Sequence, residues 1–230
     1  MSATLLATGA AFRLNGASVV ALAPGALWWP ARSLLAIADL HLEKGSEFAA
    51  RGRLLPPYDS DETLRLAAML VEELQPARVI CLGDSFHDRK ASDRLPRAIS
   101  ERIAGLASGR DWIWIAGNHD PAPPESWGGR VAAEFAEGPL RFRHEAALEA
   151  RPAGEISGHY HPKAGISWRG RRVVGRCFVE DGRRLVLPAF GAYAGGLDAR
   201  DAAIAGLFPD GYRVHILGRQ KLHSFPASAL

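Results

Sequence analysis

Short apolar runs that end in polar side chains recur along the chain. Three runs of strand length occupy residues 34–38, 79–83 and 112–115. The polar side chains that follow them most closely are Asp39, Asp84 and Asn118. If the three strands are parallel neighbours, their carboxyl ends meet at one edge of a sheet, which is where open α/β folds bind ligands. The pattern therefore predicts an α/β fold in which these side chains share one space.

Two helices are predicted between these strands. Residues 61–74 carry apolar positions at helical spacing, and Pro76 lies just past their end. A second helix is expected within residues 91–106, with Pro96 in its early part. Residues 121–129 are rich in proline and glycine, which favours a loop.

Strand patterns also occupy the start and the middle of the chain. AFRL and SVVAL, on either side of Asn15-Gly16, are typical of two strands joined by a tight hairpin turn. Residues 141–143 indicate a strand that delivers His144, and residues 155–161 repeat the order of strand, glycine and polar side chain.

The last third of the chain is rich in β-forming residues. Two such runs flank Asp181-Gly182, which is a strong hairpin signal. Residues 212–217 predict one more strand, whereas the tail after Gln220 is expected to be loosely held. Since no linker-like stretch interrupts the sequence, residues 1–230 are expected to form a single domain.

Composition and charge are those of an ordinary soluble globular protein. The chain is 47% hydrophobic and 23% charged, and its net charge of +3 permits an anionic partner without requiring one. The two cysteines, Cys81 and Cys177, are interpreted as reduced, packed thiols of a reducing compartment. Neither a signal peptide nor an apolar run of membrane-spanning length is recognisable. A cytoplasmic protein without a membrane partner is expected.

The polar side chains at the strand ends form a possible set of metal ligands. They are Asp39, His41, Asp84, Asn118, His144, His159 and His161. Seven ligands exceed the needs of one tetrahedral ion but suit two ions that share a bridging carboxylate, for which Asp84 is the central candidate. The absence of thiolates argues against structural zinc, and the mixed oxygen and nitrogen set suits manganese, iron or catalytic zinc.

The spacing of these residues adds to the hypothesis. Asp39 and His41 are two residues apart, so on an extended segment both side chains would face the same way, and His159 and His161 have the same separation. Each pair alone occurs often by chance, and a single strand histidine is usually structural. However, six of the eight histidines fall in five strand-end blocks, and packing does not explain that clustering.

The order of the motifs DLH, GDSFHD, GNHD, RFRHE and GHYH resembles that of the calcineurin-like metallophosphoesterases, over roughly residues 33–161. The resemblance implies a four-layer α/β/β/α sandwich with two mixed β-sheets and a dinuclear site at the strand ends. It also implies two ligand sets, one of Asp39, His41, Asp84 and His161, the other of Asp84, Asn118, His144 and His159. His119 would stay free of metal and assist catalysis, while a hydroxide on the two cations attacks phosphorus in line.

A narrower resemblance involves the segments DLHLEKGSEFAARGRLLPPYD, GDSFHD and LPAFGAYAGGLD. They are similar to the bacterial ligase-associated DNA-damage-response endonucleases, which implies a manganese-dependent phosphodiesterase acting on single-stranded DNA. The cofactors expected from this resemblance are two divalent ions, Mn²⁺ first and Fe or Zn as alternatives. Single-stranded DNA is the expected partner, together with repair proteins such as a ligase or a helicase.

Three further residues are candidates for substrate binding. Lys44 either contacts phosphate or is a solvated charge, and His87 is either a substrate contact or a structural partner. Tyr193 either stacks on a base or packs within a glycine-rich turn.

Two other functions share the same motifs. A phosphatase or phosphodiesterase for a small nucleotide would keep every metal ligand and differ only in the surrounding loops. A non-catalytic interaction scaffold is disfavoured, because a scaffold has no chemical need for all seven ligands.

Overall fold

Two mixed β-sheets form the centre of the molecule. The computed structural model describes residues 2–45, 59–86, 95–118, 123–148, 153–168, 171–192 and 194–230. Within these ranges one sheet has seven strands and the other has eight. No helix in the described ranges has both the length and the apolar character needed to cross a membrane.

The first sheet is built from the N-terminal half of the chain. In spatial order its strands are β1 (Ala10–Leu14), β2 (Ala17–Ala21), β3 (Leu27–Trp29), β4 (Leu34–Ile37), β5 (Arg78–Leu82), β6 (Asp111–Ile115) and β7 (Arg130–Ala132). Strands β1 to β4 are antiparallel neighbours, whereas β4 to β7 run parallel. All four residues of β4 are buried, as expected for a parallel strand covered on both faces. The three apolar runs at 34–38, 79–83 and 112–115 are therefore adjacent parallel strands, as predicted.

The second sheet is built from the C-terminal half. Its strands are β8 (Glu134–Glu137), β9 (Leu140–Arg143), β10 (Glu155–Ser157), β11 (Lys163–Trp168), β12 (Arg171–Glu180), β13 (Arg184–Val186), β14 (Arg213–Leu217) and β15 (Leu222–Pro226). Their order is β15-β14-β12-β13-β10-β9-β8, and β11 pairs with β12 outside that path. Strands β9, β10 and β13 are parallel, and the other pairings are antiparallel.

Helices cover the outer faces of the two sheets. They are α1 (Ser2–Thr8), α2 (Asp59–Leu74), α3 (Arg97–Ala107) and the short α4 (Ala202–Ala205). Single 3₁₀ turns occupy Pro30–Arg32, Glu125–Trp127 and Ala227–Ala229.

Side chains point alternately to the two faces of each sheet, so the core is divided into three apolar layers. Leu35 and Ile37 of β4 face α2 and α3, whereas Leu34 and Ala36 of the same strand face the second sheet. A third layer lies between the outer face of the second sheet and α4, where Ile204 is buried. The order of helices, sheet, sheet and helix confirms the predicted α/β sandwich of two mixed sheets. Among the described residues its fourth layer is thin, because α4 has four residues.

Two predicted turns are present. Asn15 and Gly16 both have positive φ, 45° and 87°, as a type I′ hairpin turn requires. Gly182, with φ of 80°, lies in the turn between β12 and β13, which pair in antiparallel fashion. Both hairpins were evident from sequence because glycine is the residue that adopts positive φ without steric cost.

The structure also corrects the sequence-based expectations. Helix α3 begins at Arg97, and Pro96 precedes it rather than lying inside it, because proline lacks the N–H that a helix interior needs; residues 91–94 lie outside the described ranges. The prediction of a loose tail after Gln220 was wrong, since β15 pairs along its whole length with β14 and buries Leu222. Helix α1 was not predicted. The single-domain organisation stays a prediction.

Candidate metal centre

The parallel strands bring distant polar residues to one edge of the first sheet. Beyond the ends of β4 and β5 the two chains continue side by side, and the N–H of His41 donates to the carbonyl of Asp84 at 2.9 Å. One residue further, the N–H of Leu42 donates to the carbonyl of Ser85, also at 2.9 Å. Asp39 and Asp84 are therefore held next to each other by backbone pairing that extends past the sheet.

One group of possible ligands contains Asp39, His41 and His161, whose donor atoms all lie within 4.8 Å of one another. The Nε2 atoms of the two histidines are 3.0 Å apart. The Nε2 atom of His161 lies 3.6 Å from Oδ1 of Asp39. Asp39 and His41 are buried, whereas His161 is partly open to solvent.

A second group contains Asp84, His144 and His159, whose donor atoms also lie within 4.8 Å of one another. Nε2 of His144 is 3.5 Å from Oδ1 of Asp84 and 3.2 Å from Nδ1 of His159. Asn118 lies alongside, with its amide nitrogen 3.4 Å from the same nitrogen of His159. The strand that ends at Asn118, β6, runs parallel to β5, as the sequence pattern predicted.

The two groups adjoin each other through Asp39. Its carboxylate accepts the backbone N–H of His159, with distances of 2.9 Å to Oδ2 and 3.2 Å to Oδ1. Nδ1 of His144 lies 3.7 Å from Oδ1 of the same carboxylate. All seven residues that the sequence singled out therefore converge at one place, and their role as ligands stays a prediction.

The orientation of His144 is set by the carbonyl of Leu82, which lies 2.9 Å from Nδ1. Because a carbonyl oxygen only accepts, Nδ1 carries the proton and Nε2 presents its lone pair to Asp84 and His159. Such a hydrogen bond to the far nitrogen is what usually fixes the tautomer of a metal-binding histidine.

The backbone at this site is strained. Positive φ angles occur at five of the seven residues, namely Asp39 (52°), His41 (44°), Asp84 (46°), His159 (70°) and His161 (47°). The left-handed region is sparsely populated by non-glycine residues, and clusters of such residues occur mainly at functional sites. The expectation that Asp39 and His41 lie on an extended segment was wrong. Similarly, His159 and His161 face different groups, because each residue is turned by its own positive φ.

Four glycines let the backbone approach the site closely. A Cβ at Gly158 would lie 2.6 Å from Oδ2 of Asp39, and one at Gly83 would overlap the ring of His144. Added Cβ atoms at Gly191 and Gly196 would overlap the carbonyl oxygens of Leu40 and His161. These glycines are needed for space, since any larger residue would displace the polar side chains or their backbone.

The donor atoms suit a pair of divalent cations. Two nitrogens bound to one ion at about 2.1 Å and at a right angle lie about 3.0 Å apart. The histidine nitrogen pairs of the two groups, at 3.0 and 3.2 Å, have this spacing. Carboxylate and imidazole donors without thiolates favour a catalytic rather than a structural ion. The residues present therefore fit a dinuclear site.

The predicted substrate contacts are only partly covered by the structure. Lys44 is half-buried, and hydrogen bonds hold its neighbours, among them those from the N–H of Glu43 to Ser60 Oγ at 3.0 Å and from the N–H of Gly45 to Asp59 at 2.9 Å. His87, His119 and Tyr193 lie outside the described residues.

Sequence reasoning missed two neighbours of His159. The Tyr160 ring packs edge-on to the His159 ring at a centroid distance of 5.1 Å. Burial, followed by the charge of Glu145, raises the pKa of the Tyr160 hydroxyl. Oε1 of Glu145 lies 3.8 Å from Nε2 of His159. The position of Glu145 directly after His144 was the signal that could have revealed it.

Comparisons with known proteins agree with this geometry. The model of the calcineurin-like phosphoesterase family matches residues 32–183. The chain belongs to this family. It is accordingly a metal-dependent phosphoesterase, and the family resemblance predicted from its motifs is confirmed.

Two solved structures are similar to this calcineurin-like phosphoesterase. The Pseudomonas putida nuclease MPE is 26% identical, with a TM-score of 0.70 over 95% of this chain and 99% of the nuclease. The E. coli phosphoesterase Yfce is 13% identical, with a TM-score of 0.42 over 84% of this chain and 97% of the other. A search of curated proteins gave no significant match. The similarity to the nuclease is consistent with the endonuclease branch that the sequence resembles.

Proposed function

We propose that this protein is a phosphodiesterase that depends on two divalent cations and cleaves single-stranded DNA. The observation that carries the proposal is the contact between the two groups of donors, in which His144 and His159 of one group approach Asp39 of the other. Two ions held by groups this close can act on the same phosphate, as in two-metal hydrolases.

Each residue has a defined part in this proposal. Asp39, His41, Asp84 and His161 would hold one ion, and Asp84, Asn118, His144 and His159 would hold the other. The carboxylate of Asp84 would be shared between them. When bound, such a pair of cations makes water nucleophilic at neutral pH and neutralises charge on the phosphoryl oxygens.

The side chains of the protein orient and complete the reaction. The N–H of His159 donates to the carboxylate of Asp39, and the carbonyl of Leu82 orients the ring of His144, so both donors are preorganised. His119, directly after Asn118 in sequence, stabilises the developing charge or protonates the leaving oxygen. Lys44, His87 and Tyr193 are proposed to contact the substrate.

The choice of single-stranded DNA has two supports. The Pseudomonas putida protein MPE, whose structure is similar to that of this chain, is a nuclease. The donor groups are also partly open, since His159 and His161 are incompletely buried and Asn118 is exposed, so an extended strand can reach them. A repair setting, with a ligase or helicase as partner, and Mn²⁺ as the metal belong to the proposal. So does a cytoplasmic location, which fits the two buried free cysteines.

The central experiment uses His119→Ala and the unaltered protein, each loaded with Mn²⁺. We expect the variant to keep two ions per chain by elemental analysis and to lose about 10²–10⁴-fold in cleavage of a labelled single strand, the usual contribution of a general acid or base. His223→Ala, an exposed histidine on β15, is the matched control and should retain full activity. Near-normal turnover by His119→Ala would refute the role of His119.

The bridging role has its own test. Asp84→Ala should lower the content of both ions, because its carboxylate is shared, whereas loss of a single ion would contradict the assignment. The substrate class is tested with the unaltered protein. Rapid hydrolysis of a small nucleotide without cleavage of any single strand would favour the small-molecule phosphodiesterase.

A further inference from the structure

A cavity of about 440 Å³ opens beside the metal centre, next to His159 and His161. Its volume is within the range of roughly 300–1,000 Å³ that is usual for small-molecule sites. The remainder of its lining consists of Glu145, Tyr160, Gly196, Leu197 and Ala203. A group attached to a phosphate at the two histidines would enter this cavity.

Leu197 is the large aliphatic side chain of this lining, and 39% of its surface is exposed. Its backbone is fixed, because its carbonyl accepts the N–H of Lys163 at 2.8 Å and the N–H of Ala199 donates to the Lys163 carbonyl at 2.7 Å. The neighbouring Asp198 accepts two hydrogen bonds from the guanidinium of Arg200, at 2.8 and 2.9 Å. An apolar side chain on such a fixed backbone offers a preformed surface, so little conformational entropy is lost on binding.

Gly196 places this apolar surface directly against the metal centre. A Cβ at Gly196 would overlap the carbonyl oxygen of His161, so the two backbones are in contact. The same Cβ would lie 3.1 Å from Cε of Lys163. The lysine side chain therefore lies beside Gly196, one of the residues that line the cavity.

Charges of both signs lie near this cavity, since Glu145 lines it and two arginines pair with Asp198 beside it. Arg172 and Arg200 both approach the carboxylate of Asp198, the former at 3.7 Å. Lys163 forms no ion pair with any residue in the part of the chain that the structure describes. Proteins that hold single strands without reading their sequence combine cations for the phosphates with flat, usually aromatic, apolar surfaces for the bases. Here the apolar surface is the aliphatic side chain of Leu197.

We infer that the nucleotide next to the scissile phosphate, on the His161 side, lies with its base against Leu197 and its outer phosphate beside Lys163. This inference rests on the proposed function, since it assumes that the substrate is a nucleic acid strand. It assigns Leu197 a part in substrate affinity and none in the chemical step.

The base contact is tested with two strands of equal length, an oligothymidylate and the same strand carrying abasic residues throughout. Leu197→Ala should raise KM for the oligothymidylate about 5- to 10-fold, as expected for lost aliphatic contact, and leave kcat unchanged. KM for the abasic strand should not change. Leu6→Ala on α1 is the matched control, because Leu6 is 38% exposed and lies outside the cavity.

The phosphate contact is tested by Lys163→Gln. Affinity should fall on both strands alike, and the slope of log binding constant against log salt should decrease by about 0.7, the value for one phosphate of a single strand. Lys221→Gln, in the exposed turn between β14 and β15, should leave both quantities unchanged.

The outcomes separate this inference from the proposed function. An equal effect of Leu197→Ala on the two strands, or no effect on either, would overturn the base contact. An unchanged salt slope in Lys163→Gln would overturn the phosphate contact. Failure of the unaltered Mn²⁺-loaded protein to cleave either strand would overturn the nuclease proposal itself, and the inference with it.

Discussion

The Nε2 atoms of His41 and His161 lie 3.0 Å apart, although 120 residues separate them in the chain. Their rings meet edge to face, with centroids 4.8 Å apart. Neither belongs to a strand, since His41 follows β4 and His161 follows β10. The two sheets therefore each supply one histidine to the same small space, and both histidines face Asp39.

Removal of one of these histidines should affect one ion more than the other. His161→Ala deletes a donor of the group that contains Asp39 and His41, and leaves Asp84, His144 and His159 intact. We expect elemental analysis of the Mn²⁺-loaded variant to show about one ion per chain instead of two. His215→Ala would serve poorly as a control because that ring is buried, so His223→Ala is used. Retention of both ions by His161→Ala would contradict the proposed ligand set.

The second prediction concerns the lack of room for a side chain at Gly158. The Cβ of Gly158→Ala would lie 2.6 Å from Oδ2 of Asp39 and 2.9 Å from Cβ of Ala38. Since the φ angle at Gly158 is not positive, the effect is steric alone. We expect metal affinity to fall at least 10-fold, within the 10–100-fold range seen when residues that orient ligands are changed. Isothermal titration with Mn²⁺ measures this, and Gly195→Ala, which meets no atom within 4 Å, should bind normally.

The polar residues at the strand ends were predictable because the sequence pattern that marks them is local. A buried apolar run followed by a polar residue is visible in sequence, and for this reason Asp39, Asp84 and Asn118 were found together. The backbone angles of these residues were not predictable. Positive φ at Asp39 or His161 is imposed by contacts from elsewhere in the fold, such as the N–H of Gly191 donating to the carbonyl of Asp39.

Other differences between the predictions and the structure arose where contacts between distant residues determine the conformation. The tail after Gln220 was expected to be loosely held, but residues 222–226 pair with the edge of β14. The placement of Leu197 was also invisible in sequence. It depends on a short backbone pairing with Lys163, more than 30 residues away.

A third prediction concerns the buried ion pair of Arg184 and Glu155, whose side chains are 1% and 4% exposed. Arg184 donates to Glu155 at 2.7 Å and to the carbonyls of Leu207 and Ala147 at 2.8 and 2.6 Å. Arg184→Ala leaves the buried Glu155 with Arg143 as its remaining ion-pair partner, at 3.3 Å, and leaves the two carbonyls without their donor. We therefore expect a loss of about 3 kcal/mol in the free energy of unfolding.

Urea unfolding measures this loss, and the control is an exposed ion pair. Arg97→Ala breaks the pair with Glu101 on α3, where the arginine side chain is 92% exposed. Its cost should not exceed roughly 0.5 kcal/mol, as is usual for such pairs on helices. Equal costs for the two variants would show that burial does not govern the Arg184 pair.

The fourth prediction is a pH dependence at Asp198. The hydrogen bonds that it accepts from the Arg200 side chain are the largest of the causes that lower the pKa of this carboxyl to about 2. Because the folded pKa is below the unfolded value near 3.9, the pair contributes stability above about pH 4, and the contribution is lost as the pH falls through 2. The stability difference between the unaltered protein and Asp198→Asn should therefore be constant at higher pH and shrink below pH 4. The effect is small, since the pair is exposed to solvent.

Urea unfolding at a series of pH values from 6 down to 3 checks this prediction. Asp201→Asn is unsuitable as a control because Asp201 caps α4. Asp61→Asn, on the exposed pair with Arg102, provides a comparison of similar exposure. A stability difference that grows as the pH falls below 4 would have the wrong sign and would refute the assignment.

The left-handed backbone at five of the predicted ligands has a consequence for how the protein acquires its ions. Backbone hydrogen bonds support these angles, such as those from the N–H groups of His41 and Gly191 to the carbonyls of Asp84 and Asp39. Because these hydrogen bonds do not involve an ion, we expect ions to leave and return without refolding of the chain. The metal found in the protein would follow from cellular supply and from the intrinsic order of affinities among divalent metals, and it would be exchangeable after synthesis.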